Sequence, residues 1–180
     1  VVVPLAPGAS AYYAVPVTVA GNGTYVDVSG TVTVTVQNQI VDAFAPQLLF
    51  YDDDPEMVTA VGPLYRGSVT AQTPVRLYYY HDADASQHRV VVVLQANSLD
   101  PSQVQIVSSA GGPNGDVMSV GHTASRDFLL NKNLDQGTIV NVPQDGPLVV
   151  LDATLSGGQG IAGVADLRVM QGGPVTVTVV

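Results

Sequence analysis

The chain predicts an all-β fold, a jelly-roll-like β-sandwich of about ten to twelve strands with one short helix. Three observations carry that expectation. Short runs alternate valine with threonine or another polar residue, as in "TVTVTV" (Thr31 to Val36) and "VTVTVV" (Val175 to Val180). Glycine, proline, asparagine and aspartate punctuate the chain at strand-length intervals. Helical spacing of apolar residues occurs in one stretch only, between Asp116 and Asn131.

Taken in order, Tyr12 to Ala20 alternates, Gly21-Asn22-Gly23 offers the positive φ angles of a tight hairpin, Thr24 to Val28 returns, and Thr31 to Gln37 follows Ser29-Gly30. These read as a three-stranded meander. Ala45 to Tyr51 is apolar and runs into the acidic corner Asp52 to Glu56. Alternation resumes in Leu64 to Ala71, Val75 to His81, Arg89 to Asn97 and Gln103 to Ser109. Within these, Val90 to Leu94 is apolar on both sides, the pattern of a central strand covered on both faces. Pro113-Asn114-Gly115 interrupts, and the helix near 116–131 places Val117, Val120, Ala124 and Phe128 along one side, with Asp116 as its N-cap and Gly121 as a weak point. Strands return at Thr138 to Pro143, Pro147 to Leu155, Gly163 to Met170 and Pro174 to Val180, separated by glycine-rich turns. With no internal repeat and no long linker, residues 1–180 read as one domain, the segment 1–10 serving as an exchanged or edge strand.

The chemistry of the surface follows from composition. Charged residues are 12% of the 180 and the net charge is −9, against about 25% charged in an average globular chain, so the polar surface is mainly uncharged. Lys132 is the sole lysine and Glu56 the sole glutamate, while the arginines are scattered singly among acids. Nucleic acid as a partner is thereby disfavoured, because phosphate binding needs clustered cations. No apolar run approaches the ~20 residues that span a bilayer as a helix, which argues against membrane insertion. There is no cysteine, so no disulfide framework and no thiolate chemistry. The chain starts on Val1 and lacks a basic n-region; it reads as a mature or excised extracellular chain.

Candidate sites are few. Asp52, Asp53, Asp54 and Glu56, joined by Asp82 and Asp84 of a second loop, form the oxygen-rich set that Ca²⁺ takes, although the spaced calcium-loop pattern is absent. No cofactor is required by anything else in the sequence. His81 and His88 bracket a hairpin loop, and His122 with Arg126 shares a helix face; both read more simply as solvated or structural groups. Tyr78 and Tyr80 fall on one face of a strand, as a ring platform for a glycan requires. Templates for nucleophilic, phosphate-binding and zinc-protease chemistry are missing. The expectation is therefore not an enzyme, a glycoside-active pair of carboxylates being the residual alternative.

The ends carry the functional expectation. Val1, Val2, Val3 and Leu5 at one end, and Val175, Val177 and Val179 at the other, read as strands able to add to another sheet. The sequence thus predicts a secreted structural subunit of an extracellular filament or cell-surface assembly, a homopolymer joined head-to-tail by β-strand addition. At the level of fold it resembles the jelly-roll subunits of prokaryotic surface filaments and pili. The alternative is a secreted glycan-binding β-sandwich module, for which Ca²⁺ is an optional and not a required aid.

Overall fold

The computed structural model describes residues 4–180; Val1, Val2 and Val3 lie outside the described residues. Where the sequence reading took 1–180 as one sandwich, the chain groups into two compact units, Val1–Ala43 and Phe44–Val180.

The first unit is a two-stranded antiparallel ribbon of β1 (Ser10–Val19) and β2 (Val28–Gln37), in full register from Ser10 opposite Gln37 to Val19 opposite Val28. The expected middle strand at Thr24 to Val28 is not formed. Asp27 Oδ1 accepts from the Gly21 amide at 2.7 Å and Asn22 Oδ1 from the Thr24 amide at 3.1 Å, folding residues 20–27 into a closed loop. Gly21 is required there, since a Cβ would meet the Tyr25 carbonyl oxygen at 1.9 Å. Alternation then sorts the ribbon's faces: Tyr13, Val15, Val17 and Val19 lie with Val28, Val32, Val34 and Val36, while Thr18 lies with Ser29, Thr31, Thr33 and Thr35 on the other side.

The second unit is all-β and sandwich-like with one helix. After β3 (Leu48–Asp52), β4 (Met57–Val58), β5 (Tyr65–Val69), β6 (Val75–Ala83), β7 (His88–Ala96) and β8 (Ser102–Asn114) come α1 (Val117–Asn133), β9 (Thr138–Val142), β10 (Leu148–Leu155), β11 (Gly160–Gln171) and β12 (Val175–Val179). One sheet runs β10-β7-β12-β5; the other runs β3-β6-β11-β8-β9, with β4 also pairing β6. Val75, Leu77, Val104, Ile106, Leu167 and Val169 of the larger sheet pack on Val90, Val92, Leu94 and Val175, Val177, Val179 of the smaller one, all buried. The run Val90 to Leu94 is dry on the core side alone: Val91 and Val93 are half-buried.

Two expectations at the chain's far end are corrected here. The strand β12 is interior, paired with β5 on one side and β7 on the other, and Val175, Val177 and Val179 are fully buried. A strand with both edges paired has no donors or acceptors left to offer, so these three residues are core rather than assembly surface.

The helix covers the outer face of the larger sheet. Asp116 caps it, its Oδ1 accepting from the Met118 and Ser119 amides at 3.1 and 3.2 Å. Val120 and Ala124 pack on Ala162 and Tyr80, and Gly111 leaves no room for a Cβ, which would stand 2.1 Å from the Val120 carbonyl oxygen. Beneath the helix's second half lies Asp166 of β11, wholly buried. Arg76, its cross-strand partner on β6, grips it with two bonds of 2.7 and 3.0 Å, and Lys132 of the helix adds a third. Phe128 lies under both cations, with the Arg76 guanidinium 4.9 Å from the ring centre. The carboxylate is thus compensated from strand and helix together, which clamps α1 to the sheet.

Two substitutions test this account by urea unfolding. Arg76→Ala, which strands a buried carboxylate with one remaining cation, is expected to cost about 3 kcal/mol. Gly163→Val is expected to cost about 2 kcal/mol or more, because even a Cβ at that position would lie 2.1 Å from the Tyr79 ring; an unchanged midpoint in either variant would refute the packing described.

Candidate functional site

The residues singled out by chemistry gather at one side of the larger sheet, where β3, β4 and β6 run parallel. Alternation along β3 turns Phe50 and Asp52 inward and Leu49 and Tyr51 outward; along β6 it turns Tyr79 and His81 inward and Arg76, Tyr78, Tyr80 and Asp82 outward. The register sets Tyr51 opposite Tyr78, and their rings stack with centres 5.3 Å apart and planes 10° from parallel. With Leu49, Arg76, Phe128 and Leu129 they line a shallow groove between β3 and α1. Tyr80, which the sequence reading paired with Tyr78, instead packs under the helix and donates to Asp82 Oδ2 at 3.1 Å. Burial first, and that carboxylate second, push its hydroxyl well above the ordinary tyrosine range. Tyr51, at the end of the apolar run Ala45 to Tyr51, is the ring that sequence reasoning missed; only the parallel β3–β6 register brings it to Tyr78.

The acidic residues are neighbours without being a cluster. The two loops do meet, Met57 pairing with Asp82 and the Asp82 amide donating to the Glu56 carbonyl at 2.7 Å. The carboxylates of Asp52, Asp53, Asp82 and Asp84, however, take separate partners. Asp52 is buried 3.1 Å from His81 Nε2, and His81 Nδ1 lies 3.0 Å from the Pro55 carbonyl. Asp53 accepts from the Tyr51 hydroxyl, Asp82 from Tyr80, and Asp84 from the Ser86 amide at 2.6 Å and His88 at 3.0 Å. Among the described residues no group of three or more acids and histidines is arranged to hold a metal ion. The imidazoles of His81 and His88 belong to strands of different sheets and each has its own carboxylate. His122 and Arg126 lie on the exposed side of α1, where Arg126 pairs with Asp127 at 2.7 Å.

The assembly residues divide likewise. Val1, Val2 and Val3 fall outside the described residues. Leu5 is half-buried at the open end of the ribbon, its carbonyl accepting from Asn38 Nδ2 at 2.8 Å. What the sequence reading did not single out is the ribbon itself. Among the described residues of the first unit none covers its valine face: Val15, Val17, Val19, Val28, Val32 and Val34 are all exposed, Val19 by 67%. Asp27 is the only charged residue before Asp42, so the face carries no ionic group. Among the described residues the outer edges of β1 and β2 have no strand partner.

In comparisons with known proteins, no family model, no curated protein and no solved structure matches this chain.

The Asp84 contacts have a pH consequence. The Ser86 amide and then His88 hold its carboxyl below the ordinary range. A carboxyl depressed in the folded state contributes stability above its unfolded pKa and loses it as pH falls through the folded one. Asp84→Asn is therefore expected to lower Tm near neutrality and to flatten its fall below about pH 4; parallel acid limbs for the two proteins would contradict the assignment.

Proposed function

We propose that the chain is a secreted structural subunit of an extracellular filament or surface assembly, polymerising head-to-tail by β-strand addition through its apolar N-terminal segment. The observation that carries this reading is the β1–β2 ribbon, which presents a valine face and two unpaired strand edges with no charge on either. A two-stranded ribbon is marginal in water by itself, and its stability rises when another surface covers the dry face. Burial contributes roughly 25 cal/mol per Å² of apolar area, and the free edges add main-chain hydrogen bonds that set register. In a protein of net charge −9, copies repel one another at distance, so an uncharged segment is the natural place for them to join.

Negative-stain electron microscopy and sedimentation of the full chain test this reading, beside a variant lacking Val1 to Pro7 and beside Val32→Asp. Polymers are expected from the full chain and are expected to disappear in Val32→Asp, where a carboxylate would have to enter a dry contact; the truncation reports how much of the contact Val1 to Leu5 supply. Monodisperse monomers of the full chain across a wide concentration range would overturn the reading.

A second reading has its own observation. The stacked Tyr51 and Tyr78, with Arg76 in the floor of the groove, have the flat apolar surface and hydrogen-bond donors that sugar rings take, which supports a glycan-binding module. Tyr51→Ala with Tyr78→Ala is then expected to abolish retention on polysaccharide affinity gels while leaving polymers intact; equal migration of variant and parent on every gel would dismiss it.

A further inference from the structure

The sandwich has an unfinished flank. The strand β8 runs thirteen residues, whereas β9 has five and pairs only with Ser102 to Ile106. From Val107 onward the side of β8 turned away from β11 has no strand among the described residues. One of its carbonyls, that of Ser108, is met by a side chain instead, Asn131 Nδ2 donating at 3.0 Å. Backbone groups on such an edge require partners.

Across the sandwich from this edge is β10, the last strand of the smaller sheet. Its core-facing residues Leu148, Leu151 and Ala153 stand beside Leu94, Val92 and Val90 of β7. The β7 residues are buried, yet their β10 neighbours are only half-buried. The register shift between Val149 and Leu151 turns Val150 out as a bulge, and both Val149 and Val150 are exposed. Between the two edges a partly enclosed cavity of about 190 Å³ reaches the core, lined among others by Leu77, Tyr79, Leu94, Ser108, Leu151 and Val177. None of its lining residues carries a charge, and burial keeps the Tyr79 hydroxyl far above the ordinary range and therefore neutral. The missing piece is one strand's width of apolar side chains on the β8 side.

The chemistry of the flank selects its occupant. An open strand edge takes an extended strand, since a helix has already spent its backbone groups internally. The cavity behind the edge requires that strand to be apolar on one face, and the solvent beyond requires it to be polar on the other. The β1–β2 ribbon has this division, valines on one side and chiefly threonine and serine on the other, and an unpaired edge on each strand.

We propose that the flank between β8 and β10 is the acceptor site of the assembly, and that the β1–β2 ribbon of a second copy adds beside β8 beyond Ile106 with its valine face over the cavity. The proposal rests on the assembly reading given above and supplies the surface that receives the ribbon. Donor and acceptor are different surfaces, so the contact is heterologous, and repetition yields a linear polymer unless the rotation closes a ring. Leu148, Leu151, Ala153 and Val150 become buried on assembly.

The test uses two singly defective full-length chains. Ser108→Glu places a charge at the mouth of the acceptor, at a residue exposed enough to leave folding intact, which circular dichroism checks. Val32→Asp disables the donor. Each alone is expected to raise the concentration needed for assembly by at least about tenfold. Mixed, they are expected to form heterodimers and nothing larger, because the intact ribbon of the first fits the intact flank of the second. In this cysteine-free background, Ser108→Cys and Val32→Cys chains mixed under mild oxidation are expected to cross-link to each other. If parent and Ser108→Glu polymerise alike while Val32→Asp does not, the assembly reading stands and the acceptor lies elsewhere. A parent that never assembles removes both. Blocked variants that form no heterodimer, together with cysteine variants that do not cross-link, would also overturn this placement of the acceptor.

Discussion

Every strand must settle the hydrogen bonds of both its edges, and in this protein the lengths and positions of strands decide where that requirement is met within the chain and where it is left open. β12 is enclosed by β5 and β7, and β11 by β6 and β8; these are the driest strands. Where lengths do not match, as with thirteen residues of β8 beside five of β9, an edge is left to a side-chain stand-in. Where only two strands pair among the described residues, as in the ribbon, both outer edges are open.

The larger sheet is covered on both faces, and the second cover sets a different problem from the first. The core side is filled by aliphatic side chains, but the helix side contains Asp166, which is buried without being apolar. Its compensation by Arg76 and Lys132, with Phe128 beneath both cations, joins β6, β11 and α1 in a single network. Removing water from a carboxylate is costly unless charge and hydrogen bonds replace it. This geometry makes the helix's position conditional on its charges as much as on Val120 and Ala124. The sole lysine of the chain is used here, leaving the acidic loops without lysine partners.

Those loops illustrate how proximity and convergence differ. The β4–β6 pairing brings Glu56 beside Asp82, yet Asp52, Asp53, Asp82 and Asp84 are each oriented toward a hydroxyl, amide or imidazole of their own. A separate parallel pairing, of β3 with β6, creates the stacked tyrosines on the outer face. Chemistry-bearing residues of this region are therefore arranged by register, one by one, rather than by a shared motif.

By itself the sequence determined most of the strands and the one helix, since alternation at period two and the 116–131 spacing are local consequences of backbone geometry. It also determined the cap at Asp116 and the dry face of the alternating strands, though not that of β7, whose run Val90 to Leu94 reads as covered on both sides and is dry on one. It did not determine neighbours. The terminal valines read as an edge and are the interior of a sheet; the meander reads as three strands and is a ribbon closed by Asp27 and Asn22; Tyr78 reads as the companion of Tyr80 and stacks on Tyr51. The physical reason is the same in each case. Periodicity records which side of a strand avoids water, whereas pairing is settled by hydrogen bonds and contacts between residues far apart in the chain, and only the assembled tertiary structure brings those together.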